Sequence, residues 1–169
     1  MTAQGGEGQG VESVVGQVEA ALRGEGIDAG IVQPDAGRPH EALELRSIER
    51  FGLLGHALEL AGASGVTVSI ETSRVPLIAG VRDLAAMGMI PAGSFADRKF
   101  CERAVAVDDG VDPLLVDLLA DAQTSGGLLI SVAGPAGDEL HAALERRGVP
   151  HHEIGRVAEP GPGRIRVAP

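Results

Sequence analysis

Two adjoining stretches with different periods constrain this chain most. "FGLLGHALELAG", residues 51–62, places Phe51, Leu54, Leu58 and Ala61 on one helical face, with Gly62 and Gly65 near its end. "VTVSIE", residues 66–71, alternates apolar and polar positions and is β-branched, which predicts a strand. Only a layered fold accommodates both. The helix must lay its apolar stripe on a sheet that the strand helps to form.

The other segments add to the same picture. "VESVVGQVEAALR", residues 11–23, has Val11, Val14, Val15, Val18 and Leu22 at helical spacing, closed by Gly24 and Gly26. "IDAGIV" reads as a short strand and "QPDAGRPH" as a loop. "ALELRSI" reads as a strand, with helix as the alternative because Ala, Leu and Glu favour it. "VPLIAGVRDLAAMG" is expected to be a helix opened by Pro76 and ended by Gly88, and "IPAGSFADRKF" a loop entering a short helix or turn. "DPLLVDLLAD" predicts a helix with Asp112 as N-cap and Pro113 at its first position. After the glycine loop "QTSGG" come a buried strand, "LLISVAG", and a helix, "PAGDELHAALERRG". "HHEIGRVAE" and "GRIRVAP" finish the chain as strands around a Pro-Gly turn. The expected domain spans 11–169, behind a glycine-rich flexible lead at 1–10.

Composition excludes several classes of function. Hydrophobic residues make up 44% of 169 but aromatics only 2%, so Ala, Val, Leu and Ile must build the core. The net charge is −10, and Lys99 is the one lysine. That balance repels phosphate backbones, and aromatic platforms for single strands are missing, so nucleic acid is excluded as a partner. No apolar run has the ~20 residues of a membrane span. One cysteine rules out an internal disulfide framework and points to a cytoplasmic location.

The residues with chemical potential lie in a few places. Thr124, Ser125, Gly126 and Gly127 combine hydroxyls with a glycine backbone that lets successive N–H groups approach an anion; a tight turn is the plainer use of the same residues. Gly93 and Ser94 repeat that pairing ahead of Asp97, Arg98 and Lys99. Cys101 stands near Lys99 and Arg103 but has no histidine at a catalytic spacing, so an inert buried thiol is expected. His151 and His152 are adjacent on a strand and point to opposite faces, which disfavours a shared metal ion. His56 reads as a core-edge histidine.

"FGLLGHALELA", "GMIPAGSFADRKF" and "DAQTSGGLLISV" occur in that order. Together they resemble the C-terminal domain of selenophosphate synthetase (selenide, water dikinase), within the aminoimidazole ribonucleotide synthetase superfamily. The likeness runs from about residue 45 to the closing "IGRV" and beyond, strongest over 51–169. It implies an α/β (α+β) fold, a three-layer α/β/α sandwich with a mixed sheet. It also implies a two-domain enzyme that uses ATP, selenide and water to make selenophosphate, AMP and phosphate, with magnesium. In that family the N-terminal domain supplies most of the ATP site, a catalytic Cys or selenocysteine, a catalytic Lys and most magnesium-binding aspartates.

In this chain the one lysine and the one cysteine both lie within the matching region. The N-terminal ATP-binding domain is therefore expected to be absent, and the chain alone inactive, with no catalytic residue and no cofactor of its own. The family's Asp-Val-Thr-Gly before the helix becomes Ser47, Ile48, Glu49 and Arg50. The resemblance makes that aspartate a magnesium ligand, so Ser47 implies loss of the metal site, with Glu49 as a weak substitute. Asp121 to Gly127 keep the family's glycine loop except for a Pro, replaced by Ala122. The family's Gly-Gly-(Ser/Thr)-x-x-Asn becomes Ala92 to Asp97, with an acid in place of an amide. The expected partner is an N-terminal ATP-binding domain; a homo-oligomer is a second option. The alternative function is a stand-alone, non-catalytic relative that binds a small anion or a protein.

Overall fold

A computed structural model describes residues 29–34, 44–47, 51–123, 127–132 and 134–169. The helix expected over 11–22 lies outside them, as do Glu49, Arg50, Thr124, Ser125 and Gly126. The described elements are strands β1 (Ala29–Pro34), β2 (Glu44–Ser47), β3 (Val66–Glu71), β4 (Val105–Val107), β5 (Leu128–Ser131), β6 (His151–Pro160) and β7 (Arg164–Ala168). The helices are α1 (Gly52–Ser64), α2 (Val81–Ala86), α3 (Ala92–Cys101), α4 (Pro113–Leu119) and α5 (Gly134–Arg146).

The seven strands form one mixed sheet in the order β2-β5-β1-β6-β3-β7-β4. β1 runs parallel to both β5 and β6, and β3 and β4 run parallel to β7. β2 against β5 and β3 against β6 are antiparallel. The terminal Pro-Gly turn does not make a hairpin, because β3 lies between β6 and β7.

Burial follows the two-residue period of the strands. Along β3, Val66, Val68 and Ile70 are buried while Thr67, Ser69 and Glu71 are half-buried. The buried side meets α1 through Leu54, Ala57 and Leu60, and joins Ile165 and Val167 of β7 in one cluster. In β5 all four residues are buried, so both faces of the sheet are covered there. Leu129 belongs to the α1 side. Its neighbours Leu128 and Ile130 therefore face the opposite layer, where α5 packs against β1 and buries Leu140 and Leu144. Helices on both faces of a mixed sheet give the α/β fold that the likeness implied.

Two expectations need correction. The helix opened by Pro76 is only Val81–Ala86, because Gly80 adopts φ +81 and holds the chain out of helical geometry until the next residue. The stretch expected as a loop and short helix is a ten-residue helix, α3. Its buried residues are Ser94 and Cys101, seven positions and two turns apart, while Phe95 and Phe100 are exposed. The helix thus turns a hydroxyl and a thiol inward and its aromatic rings outward. That inversion hides it from a reading based on apolar spacing.

Candidate functional site

The three stretches that carry the likeness meet at one end of the sheet. α1 begins at Gly52, which has φ +62. A Cβ there would lie 2.7 Å from the carbonyl carbon of Ala120 and 2.7 Å from the carbonyl oxygen of Asp121. The start of α1 is therefore seated on the turn that leads from α4 into the glycine loop. Phe51 folds over the first turn of α1, and its ring lies 5.9 Å from His56 and 6.3 Å from Phe100. Gly55 makes room for it, since a Cβ at that position would come within 2.3 Å of the Phe51 Cβ.

The second connection comes from α3. The Ser94 hydroxyl donates to Asp121 Oδ1 at 2.5 Å, and Ser94 is 2% exposed. One turn further on, Arg98 donates to Asp117 of α4. Ser94, Arg98 and Cys101 sit four and three residues apart, so one face of α3 holds both α4 and the turn after it. Gln123 Nε2 donates to the Asp121 carbonyl at 3.2 Å and closes the turn from within. Asp121 is thus a brace between α3 and the entry to the glycine loop. Asp121 and Ser94 are 27 positions apart, and no spacing rule joins them.

The exit of the loop is fixed by the sheet. Gly127 is half-buried and precedes Leu128, which pairs with Ser47, the last residue of β2. The position where the likeness places a metal-binding aspartate therefore adjoins the exit of the loop. Its hydroxyl is neutral, whereas hard divalent cations favour carboxylate and other oxygen ligands in greater number. Among the described residues no group of three or more His, Cys, Asp or Glu side chains is arranged to hold a metal ion.

The remaining candidates are placed as follows. Gly93 is exposed in the first turn of α3, while the hydroxyl of neighbouring Ser94 is committed inward to Asp121. Cys101 is 1% exposed within the core, and burial, followed by the charge of Asp97, raises its thiol pKa. His56 lies at the core edge with Nδ1 3.1 Å from Glu59 Oε2. His151 donates from Nδ1 to the Val149 carbonyl at 2.8 Å and faces the ring of His141 at 5.0 Å, while His152 is exposed. No helix among the described residues is long and apolar enough to cross a membrane.

The family described as AIR synthase related protein, C-terminal domain, matches residues 45–168. The chain belongs to that family. It is a selenophosphate-synthetase-like member: it is 45% identical over 135 residues to a selenide, water dikinase of Nitratidesulfovibrio vulgaris strain Miyazaki F, covering 78% of this chain and 39% of that protein. A selenide, water dikinase of Clostridioides difficile is 41% identical over 121 residues, covering 71% of this chain and 35% of the relative. One of Caldanaerobacter subterraneus is 45% identical over 100 residues, covering 59% and 29%. The chain thus spans well under half the length of the relatives it matches.

Proposed function

We propose that this domain supplies one half of an ATP-dependent selenophosphate synthesis, and acts only with an ATP-binding partner domain. The observation that supports this reading best is the bracing of the glycine loop. Its entry is clamped between Gly52 of α1 and Ser94 of α3, and its exit is stitched to β2 beside Ser47. The described residues on either side of the loop are thus held by the sheet and two helices, and the Thr-Ser-Gly-Gly sequence between them has the main-chain donors and hydroxyls that suit a phosphate. On this reading Thr124 to Gly127, together with Gly93, are the residues that bind phosphate, and the partner contributes nucleotide, metal and nucleophile. The product would be selenophosphate, with AMP and phosphate.

The neutral Ser47 favours a second reading, in which the domain has kept the fold and anion loop without the metal chemistry. Calorimetric titration with Mg-ATP and with inorganic phosphate, combined with an AMP assay of the complex, separates the two. The first reading expects no magnesium-dependent ATP binding by the chain alone. It also expects selenide-dependent AMP formation when the chain is co-expressed with the ATP-binding portion of a selenide, water dikinase. Phosphate binding with no AMP formation in that complex would leave only the second reading. AMP formation by the chain alone would overturn both.

A further inference from the structure

The turn between α5 and β6 fixes two histidines that the candidate site does not use. Gly148 has φ +64, its N–H donates to the Glu145 carbonyl at 2.9 Å, and the Val149 N–H donates to the Leu144 carbonyl at 3.0 Å. This pair of bonds closes the end of α5 around a left-handed glycine. Val149 then accepts at its own carbonyl from Nδ1 of His151, at 2.8 Å. A carbonyl only accepts, so Nδ1 carries the proton and Nε2 of the neutral ring keeps its lone pair. Metal-binding histidines use the same support: one nitrogen is anchored to a carbonyl or carboxylate and the other is presented to the ion.

The sheet aims that ring at α5. Ala29 of β1 is in register with both Leu128 and His151, so all three project from one face. Leu128 faces the α5 layer, and there His151 meets His141 of α5, with ring centres 5.0 Å apart and planes at 48°. His152 points to the opposite face and is exposed. The partner of His151 is therefore not its neighbour in the chain but a residue from the preceding helix. Both rings are half-buried. Among the described residues no hydrogen bond engages either nitrogen of His141.

Two imidazoles that share a zinc ion bind it at about 2.1 Å, which puts their ring centres roughly 5 Å apart at a tetrahedral angle. The two rings already stand at that separation. We propose that His141 and His151 form a binding site for a late first-row divalent ion of the zinc class. Imidazole nitrogen suits these ions, whereas magnesium prefers oxygen. No third His, Cys, Asp or Glu completes the group among the described residues, so water takes the remaining positions. Both ligands stand on regular elements joined by a capped turn, so binding has little chain to order. The ion ties α5 to the start of β6. The site lies two strands from Leu128 and the exit of the glycine loop, about 10 Å at the usual strand spacing. It is thus separate from the candidate phosphate site and independent of the function proposed above.

Calorimetric titration of the untagged full chain with zinc chloride tests the site, and heteronuclear NMR of the imidazole nitrogens reads which atoms bind. The expected result is one zinc per chain, with the Nε2 resonance of His151 shifted and its Nδ1 still protonated. His141→Gln and His151→Gln are each expected to weaken zinc binding at least about tenfold, since loss of a mere supporting partner already costs about 10–100-fold. His152→Gln, exposed on β6, is the control and leaves affinity unchanged. Circular dichroism without zinc checks that each variant is folded. Where a glutamine variant is not, the NMR shifts of the parent decide alone. Absence of zinc binding by the parent overturns the proposal. So does binding that persists in both folded glutamine variants, because the ion is then held elsewhere on the chain. An unshifted His151 Nε2 in the zinc-loaded parent, or magnesium binding as tightly as zinc, overturns it as well.

Discussion

Gly52 is the position where sequence, fold and site are most tightly linked, and Gly52→Ala tests that link. Two costs combine. The residue sits at φ +62, where a side chain costs about 1–2 kcal/mol relative to glycine. The added Cβ would also lie 2.7 Å from two backbone atoms of Ala120 and Asp121. Backbone cannot swing aside as a side-chain end can, so α1 or the turn must move, at a further cost of about 1–3 kcal/mol typical of overpacking. The expected loss is therefore about 2–5 kcal/mol, and in a domain of this size each kcal/mol lowers the melting temperature by roughly 2–4 °C. Urea unfolding followed by circular dichroism measures it directly. Gly62→Ala is the internal reference. Gly62 lies in the same helix with no atom within 4 Å of its would-be Cβ, and alanine there should stabilise by up to about 1 kcal/mol. Displacement of the turn should also disturb the Ser94–Asp121 bond. Ser94→Ala should then cost less in the Gly52→Ala background than in the parent, a non-additivity readable in a double-mutant cycle. A loss below about 1 kcal/mol for Gly52→Ala, or strict additivity with Ser94→Ala, would refute the idea that α1 clamps the loop entry.

Three further outcomes follow from the structure. Gly155→Ala should prevent normal pairing of β3 with β6, because its Cβ would fall 2.0 Å from the Ser69 carbonyl oxygen; insoluble expression or a non-cooperative melt is expected, and a parent-like melt would contradict the register. Cys101 should resist a thiol-reactive disulfide reagent in the native chain and react fast in urea. Its folded pKa is raised, so its contribution to stability is present below the ordinary thiol value and is lost as pH rises past it; rapid native labelling at pH 8 would argue against burial. Asp112 accepts from the Leu114 N–H at 2.9 Å and from Arg82, and the backbone bond comes first in holding its pKa low. Its stabilising effect is therefore present above the ordinary aspartate value and lost as pH falls through the depressed one; Asp112→Asn should flatten the acid side of a melting-temperature profile, and an unchanged profile would count against the cap.

The chemistry of the site was partly written in order and spacing. The glycine loop and the Phe51-Gly52 start of α1 could be named as belonging together from the likeness alone. What joins them could not. Ser94 reads as one more hydroxyl beside a glycine, and only the packing of α3 turns it toward Asp121. The exposed rings of Phe95 and Phe100 are equally unreadable in advance. An apolar residue in a helix is ordinarily assigned to the core, and α3 inverts that rule because a serine and a cysteine occupy its inner face.

By itself the sequence determined the periods. Alternation made β3, helical spacing made α1, the Asp112-Pro113 start made α4, and the run of four apolar or small residues in β5 required cover on both faces. These are local effects, set by backbone propensity and by which side chains avoid water. Tertiary structure decided which strands are neighbours, placing β3 between β6 and β7 and leaving β4 at the edge. It also decided that the turn after α4 would be pinned by a residue from α3 and a glycine from α1. Those contacts join positions far apart in the chain. Their free energy comes from burial and hydrogen bonding that exist only once the layers have closed, so no local pattern could have encoded them.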